Sequence, residues 1–269
     1  VEAYLVEKEY DEVSGYTNPE ESPHDFFNVG HTSTSISLAT GLAKARDLAG
    51  RRENIIAFIG DGSMSGGEAL EGLNVAGEME TNFIIVFNDN DQSIAENHGG
   101  MYKEFRRLRE TNGTAENNLF RAMGLDYRYV ADGNDCEALI AAFRAVKDSQ
   151  TPVVVHIHTQ KGKGYKFAEE DHETWHYRMP FDIETGALKH PYTDPFLAAT
   201  VDFVKAEAAR NPNFVFLAAG TMGGIGLTPA DRAALGTQYV DVGIAEEQAV
   251  AMASGLARGG ARPIFGTYS

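Results

Sequence analysis

Two stretches decide the fold: Asn54-Ile55-Ile56-Ala57-Phe58-Ile59-Gly60-Asp61-Gly62-Ser63 and, further along, Phe83-Ile84-Ile85-Val86-Phe87-Asn88-Asp89-Asn90. Each is an apolar, β-branched run that ends in small polar residues, and residues 67–78 between them have a helical period. Unbroken apolar character, without polar alternation, suits strands buried on both faces, which means a parallel sheet covered by helices. Strand, turn, helix, strand is therefore the unit, and the class is α/β. In an open parallel sheet, ligands bind beyond the carboxyl ends of the strands. The 60–63 turn and the 88–90 turn are expected to meet there.

The pattern repeats outward. Residues 127–130 and 153–158 are the next expected strands. Residues 35–47 place Ile36, Leu38, Leu42 and Ala45 near one helical face, and residues 136–147 form a helix after Asp132-Gly133. After Pro180 the texture turns to Gly, Pro, Thr and Tyr, which reads as a linker over 183–195. A second unit follows: helix 196–209, strand 214–218, a glycine-rich turn over 220–226, strand 239–242, helix 246–257 and strand 262–266. Open α/β sheets usually have about five or six strands, so this unit reads as incomplete. The expected organisation is doubly wound parallel sheets with helices on both faces: a first domain over 1–182, the linker, and the start of a second domain over 196–269.

Charge and composition narrow the function. The 269 residues carry 39 acidic and 23 basic side chains, a formal charge of −16. That field repels phosphate backbones and anionic lipid, so neither a nucleic acid nor a membrane is the expected partner. No apolar run approaches the roughly 20 residues that span a bilayer. The single cysteine, Cys136, excludes an internal disulfide and suits a reducing compartment, the cytoplasm. Residues 1–13 carry acidic charge where a signal peptide is basic, so no export is implied, and position 1 is Val rather than Met, which leaves open that the chain is a piece of a longer one.

The chemistry concentrates in the two turns. Asp61 and Asn90 offer hard oxygen ligands to a Mg²⁺ ion that shares its shell with phosphate oxygens. Gly60 and Gly62 admit the backbone to a phosphate, and the following helix N-terminus adds N–H donors. Taken singly, Gly-Asp-Gly is a tight turn and Asn-Asp-Asn a loop. Taken together, each after a strand with a helix between, they resemble the pattern by which thiamine diphosphate enzymes hold Mg²⁺ and the cofactor diphosphate.

From Gly15 onward the chain resembles the 1-deoxy-D-xylulose-5-phosphate synthase family. The matching stretches are Phe27-Asn28-Val29-Gly30-His31-Thr32-Ser33-Thr34-Ser35-Ile36-Ser37, the two turns above, Ser93-Ile94 with Glu96-Asn97, Lys161-Gly162-Lys163-Gly164-Tyr165, and Val242-Gly243-Ile244-Ala245-Glu246. The resemblance implies joining of pyruvate to glyceraldehyde 3-phosphate with loss of CO₂, on the route to isoprenoid precursors, by a homodimer using thiamine diphosphate and Mg²⁺. It implies Asp61, Asn90 and the Gln92 carbonyl as metal ligands. Gly62 and Ser63 would contact the diphosphate, Gly30, His31, Thr32 and Tyr165 would line the cleft, and Ile94 would lie beneath the thiazolium.

By the same resemblance Glu246, rather than its neighbour Glu247, takes the activating role. A carboxyl that hydrogen-bonds a ring nitrogen of the aminopyrimidine favours the imino tautomer, the base that removes the thiazolium proton. Without the match it would read as an N-terminal helix carboxylate facing the macrodipole. His31, otherwise a loop histidine near an N-cap, becomes a substrate-facing proton donor by resemblance, and His176 in Glu173-Thr174-Trp175-His176 is the second such histidine. Tyr268 aligns with a tyrosine near the acceptor. Lys161, Lys163 and Lys166 form a basic loop, either solvated or a lid near phosphate.

The chain departs from the family pattern in three places. The family's upstream segment with two active-site histidines, and its downstream acceptor-phosphate residues, have no counterpart to carry over. The stretch between Asn97 and Tyr127 is short, and Asn134 stands where a histidine is frequent. Two rival readings stay open: a transketolase-like two-carbon transferase, and a cofactor-binding fragment without turnover.

Overall fold

The computed structural model describes residues 15–191 and 194–267. Tyr268, expected near the acceptor, lies outside the described residues. The first sheet has four parallel strands in the order β1-β2-β4-β3, with β1 Ile56–Gly60, β2 Phe83–Asp89, β3 Asp126–Val130 and β4 Pro152–His158. The second has three parallel strands in the order β6-β5-β7, with β5 Phe214–Ala218, β6 Tyr239–Asp241 and β7 Arg262–Gly266. The expected strands recur with ends displaced by two residues at most.

β2 and β4 are the inner strands, and this is why they read as continuous apolar runs: from Phe83 to Phe87 and from Pro152 to His156 every residue is buried. Helices α1 Ser35–Leu48 and α2 Gly67–Ala76 cover one face, where Ile36, Leu73, Phe83, Ile85 and Phe87 share a core. Helix α5 Cys136–Val146, capped by the Asp135 side chain on the Glu137 amide, covers the other with Val86, Val153 and Val155 beneath it. In the second unit, α7 Pro195–Arg210 starts behind an Asp194 cap with proline in its first turn. It packs on Phe214 and Phe216, and α10 Glu246–Arg258 follows β6.

Several short helices complete the chain: α3 Gly100–Glu110, α4 Leu119–Ala122, α6 Lys166–Glu170, α8 Met222–Ile225 and α9 Pro229–Leu235. None of these was expected from the sequence. The sequence of α3, Gly-Met-Tyr-Lys-Glu-Phe-Arg-Arg-Leu-Arg-Glu, is mostly polar and buries only Tyr102, Phe105 and Leu108, a stripe too narrow to stand out. Residues 181–188, which overlap the start of the expected linker, close into a turn with a Phe181–Leu188 bridge, and Asp182 accepts from the Glu184 and Thr185 amides.

Phe87 sits fully buried at the middle of the first core, its ring 4.7 Å from those of Phe105 and His156 and 5.4 Å from that of Phe120. Phe87→Ala should lower the unfolding free energy by about 3–5 kcal/mol in a urea titration, because three ring partners lose contact at once.

Candidate active site

Gly60 is in register with Asn88, and the Asp61 amide extends that pairing by donating to the Asn88 carbonyl at 3.0 Å. The carboxyl ends of β1 and β2 are therefore side by side, and the turns that follow them share one edge. Asp61 is 2% exposed. Its Oδ2 accepts from the Gln92 amide at 3.1 Å and from Asn97 Nδ2 at 2.7 Å. The same Gln92 amide donates to Asn90 Oδ1 at 3.2 Å. The two expected oxygens thus converge on one hydrogen, at the place the parallel register dictates.

The electrostatics of this point are unusual. Burial, and then repulsion from Asp89, push the Asp61 carboxyl up to about 7 against the hydrogen bonds that favour its anion. Asp89 is also buried, which alone would raise it, but hydrogen bonds from His156 and Arg109 outweigh burial and hold it below the usual carboxylate range. An under-compensated carboxylate beside an amide oxygen can accept a hard cation. Among the described residues no group of three or more His, Cys, Asp or Glu side chains is arranged to do so.

Beyond Asp61 the chain makes a 3-10 turn, Gly62–Ser65, on which the other segments converge. A Cβ on Gly62 would fall 2.8 Å from Ser93 Oγ, so the backbone approach there requires glycine. Ser33, buried and held at φ 77°, donates its Oγ to the Ser63 carbonyl at 2.7 Å, and this anchors the exposed Gly30, His31 and Thr32 beside the turn. Ser65 ties in the second unit: Oγ donates to the Gly62 carbonyl at 2.8 Å and accepts from the Ile244 amide at 2.9 Å.

That last contact sets Glu246 at the first turn of α10, with His31 Nε2 3.4 Å from Glu246 Oε2. The hydrogen bond between His31 Nδ1 and the Thr32 carbonyl raises the His31 pKa, burial opposes it, and Glu246 adds to the rise. Glu246 Oε2 is itself buried and has no hydrogen-bond partner.

A cleft of about 660 Å³ is lined by Ile94, Glu173, His176, Gly223, Leu227 and Thr228, so Ile94 and His176 come together across the two units. Lys161 Nζ donates to the Ser93 carbonyl and, at 3.1 Å, to His176 Nδ1. An ammonium only donates, so His176 Nδ1 accepts and its ring proton resides on Nε2. Burial, then Lys161, lower the His176 pKa and keep the ring neutral. Arg232 grips Glu173 through two hydrogen bonds of 2.8 and 2.7 Å, fastening this segment to the second unit.

Tyr165 packs beside the segment that carries His176. Its ring lies against Phe167, Trp175 and Phe181, and its hydroxyl donates to the Ile183 carbonyl. Sequence reasoning passed over Ser33, Ser65, Arg109 and Arg232. A serine in a Ser/Thr run or an arginine on a polar helix carries no local signal of a partner so distant in the chain.

Comparison with known proteins gives the family. A sequence model of the family described as 1-deoxy-D-xylulose-5-phosphate synthase matches residues 4–117 and 110–159, dividing inside the stretch read as short. Among curated proteins, the chain is 36% identical to the 1-deoxy-D-xylulose-5-phosphate synthase of Chlorobaculum tepidum over 308 aligned residues, 97% of this chain and 48% of that protein. It is 38% identical to 1-deoxy-D-xylulose-5-phosphate synthase 1 of Geobacter metallireducens, covering 96% of this chain and 47% of the relative. With the synthase of Clostridium beijerinckii it shares 34% identity, covering 100% and 49%. The chain spans about half the length of the curated relatives it matches.

A pH prediction follows from Asp61. A carboxyl raised in the folded state favours folding while protonated, and this contribution is lost as pH climbs from the ordinary value of 3.8 to about 7. Asp89, held low, acts in the opposite sense and at more acid pH. Asp61→Asn keeps an oxygen for the Gln92 and Asn97 donors but cannot ionise. In metal-free buffer, urea titrations should show this variant more stable than wild type by roughly 2–4 kcal/mol at pH 8, with the difference vanishing near pH 4. A constant difference across that range would remove the assignment.

Proposed function

We propose, because this chain belongs to the 1-deoxy-D-xylulose-5-phosphate synthase family, that it binds thiamine diphosphate and Mg²⁺. The whole protein would join pyruvate to glyceraldehyde 3-phosphate with loss of CO₂ to give 1-deoxy-D-xylulose 5-phosphate. The observation that carries the reading is the convergence of Asp61 Oδ2 and Asn90 Oδ1 on the Gln92 amide at the carboxyl ends of adjacent parallel strands. One carboxylate and one amide oxygen, with the Gln92 carbonyl as the third ligand, suit an ion that takes the rest of its shell from a diphosphate and water.

On one further point the residues present fit the cofactor. Glu246 Oε2 is a buried acceptor that makes no hydrogen bond, although His31 Nε2 stands 3.4 Å away, and it can take a ring N–H. When bound, thiamine diphosphate supplies a nucleophilic carbon and an electron sink for decarboxylation.

The chain's own residues then have distinct tasks. Glu246 would hold a proton between its carboxylate and a ring nitrogen of the bound cofactor. Lys161 keeps His176 in the tautomer that donates from Nε2, and Ile94 presents an apolar surface in the same cleft. His31, its pKa raised beside Glu246, is the second proton donor. Gly30 and Thr32 border this point, while Tyr165 and Tyr268 enter through the family pattern alone. We read the protein as a cytoplasmic homodimer. The exposed Cys136 thiol suits a reducing compartment, and no helix among the described residues is long and apolar enough to cross a membrane.

Calorimetry should show thiamine diphosphate binding that requires Mg²⁺ and is abolished in Asp61→Asn. Glu246→Gln should bind the cofactor within a few-fold of wild type yet slow exchange of its thiazolium proton by about a hundredfold or more, measured by NMR in D₂O. The whole protein should release CO₂ only when both substrates are present. Two-carbon transfer from a ketose phosphate, with pyruvate inert, would replace this assignment with a transketolase-like one.

A further inference from the structure

Asn90 stands between two carboxylates, and a single guanidinium holds both. Arg109 Nη1 donates to Asp89 Oδ1 at 2.7 Å and Oδ2 at 2.6 Å, while Nη2 lies 2.8 Å from Asp91 Oδ1. The Asp91 amide also donates to Asp89 Oδ1 at 3.1 Å, closing the turn upon itself. Asp91 sits at φ 60°, a left-handed conformation that L-residues other than glycine adopt only with help, though aspartate tolerates it better than most.

We propose that Arg109 is a positioning residue for the metal loop: by straddling Asn90 it locks the 89–91 turn in its left-handed form and so aims the Asn90 oxygen at the point occupied by Asp61. This inference rests on the proposed function for its metal, and on geometry alone for the clamp.

The surroundings support the assignment. Arg109 comes from the last turn of α3, whose Tyr102, Phe105 and Leu108 are anchored in the first core. From beneath, His156 Nε2 on β4 holds Asp89 Oδ2 at 2.9 Å, and Tyr127 on β3 holds His156 Nδ1 at 2.7 Å. Asp89 is fully buried with both oxygens engaged, so the middle carboxylate of Asn-Asp-Asn is a structural anchor and the ligand role falls to its neighbour. Arg109 precedes by one residue the stretch at which the family match divides. In this chain, the short segment after Asn97 delivers a brace to the cation site.

A planar fork can bridge two carboxylates; an ammonium offers one point of charge. Arg109→Lys therefore keeps the charge that Asp89 needs while removing the bridge. In the variant, Mg²⁺-dependent thiamine diphosphate affinity should fall about tenfold or more by calorimetry, the range expected when a ligand loses its support. Without cofactor, hydrogen–deuterium exchange should quicken in residues 90–93 and stay unchanged in 83–88. Glycine adopts the left-handed turn unaided, so Asp91→Gly in the Arg109→Lys background should restore most of the lost affinity, which a merely structural role for Arg109 would not allow. Arg109→Lys with wild-type affinity and wild-type protection overturns the proposal, as does exchange quickened evenly through β2 and β4 with no rescue by Asp91→Gly. Wild-type protein that takes up no cofactor while residues 90–93 still respond to Arg109→Lys counts against the function proposed above and supports the clamp.

Discussion

One amide hydrogen, on Gln92, is shared by the Asp61 carboxylate and the Asn90 side-chain oxygen. Everything at the carboxyl edge of the first sheet is arranged around that meeting. It brings two oxygens together in a place from which water is largely excluded, and it cannot fully compensate them. Burial and Asp89 push the Asp61 carboxyl up despite the donors it has. A site left short of positive charge in this way weakens the bare fold and gains most when a cation arrives, the usual relation between a binding site and the stability of its scaffold.

The contrast between Asp61 and Asp89 shows how neighbours decide the behaviour of two buried carboxylates. Asp89 has a guanidinium and an imidazole against it and stays ionised. Asp61 has amide donors only, and its charge is held at a disadvantage. The first is therefore a fixed anion that organises the turn; the second is poised to respond. Reversing their partners would leave the same residues in the sequence and a different chemistry at the edge.

The 3-10 turn after β1 connects the two sheets. Ser33 reaches it from the loop before α1, Ser93 packs on it from the loop after β2, and Ser65 extends from it to Ile244 in the second unit. Each contact is a single hydrogen bond or a close van der Waals approach. Together they fix where His31 meets Glu246, residues that no local interaction could bring within 3.4 Å. The Arg232–Glu173 pair makes a second crossing on the far side of the cleft, holding the segment that carries His176.

The amino-acid sequence by itself determined the α/β class, the strands, and the edge at which Asp61 and Asn90 would lie. The reason is that burial on both faces leaves an unbroken apolar run in the chain, and parallel pairing brings successive strand ends to one side. The helix carrying Arg109 was hidden, since three apolar residues on a polar background produce no clear period. So were the strained Ser33, the bridge at Ser65 and the clasp at Arg232. These depend on partners far along the chain, and a contact of that kind exists only once the sheets and helices have set the distance between its ends. The tertiary structure alone decided which carboxylate at the edge became an anchor and which was left with amide donors alone.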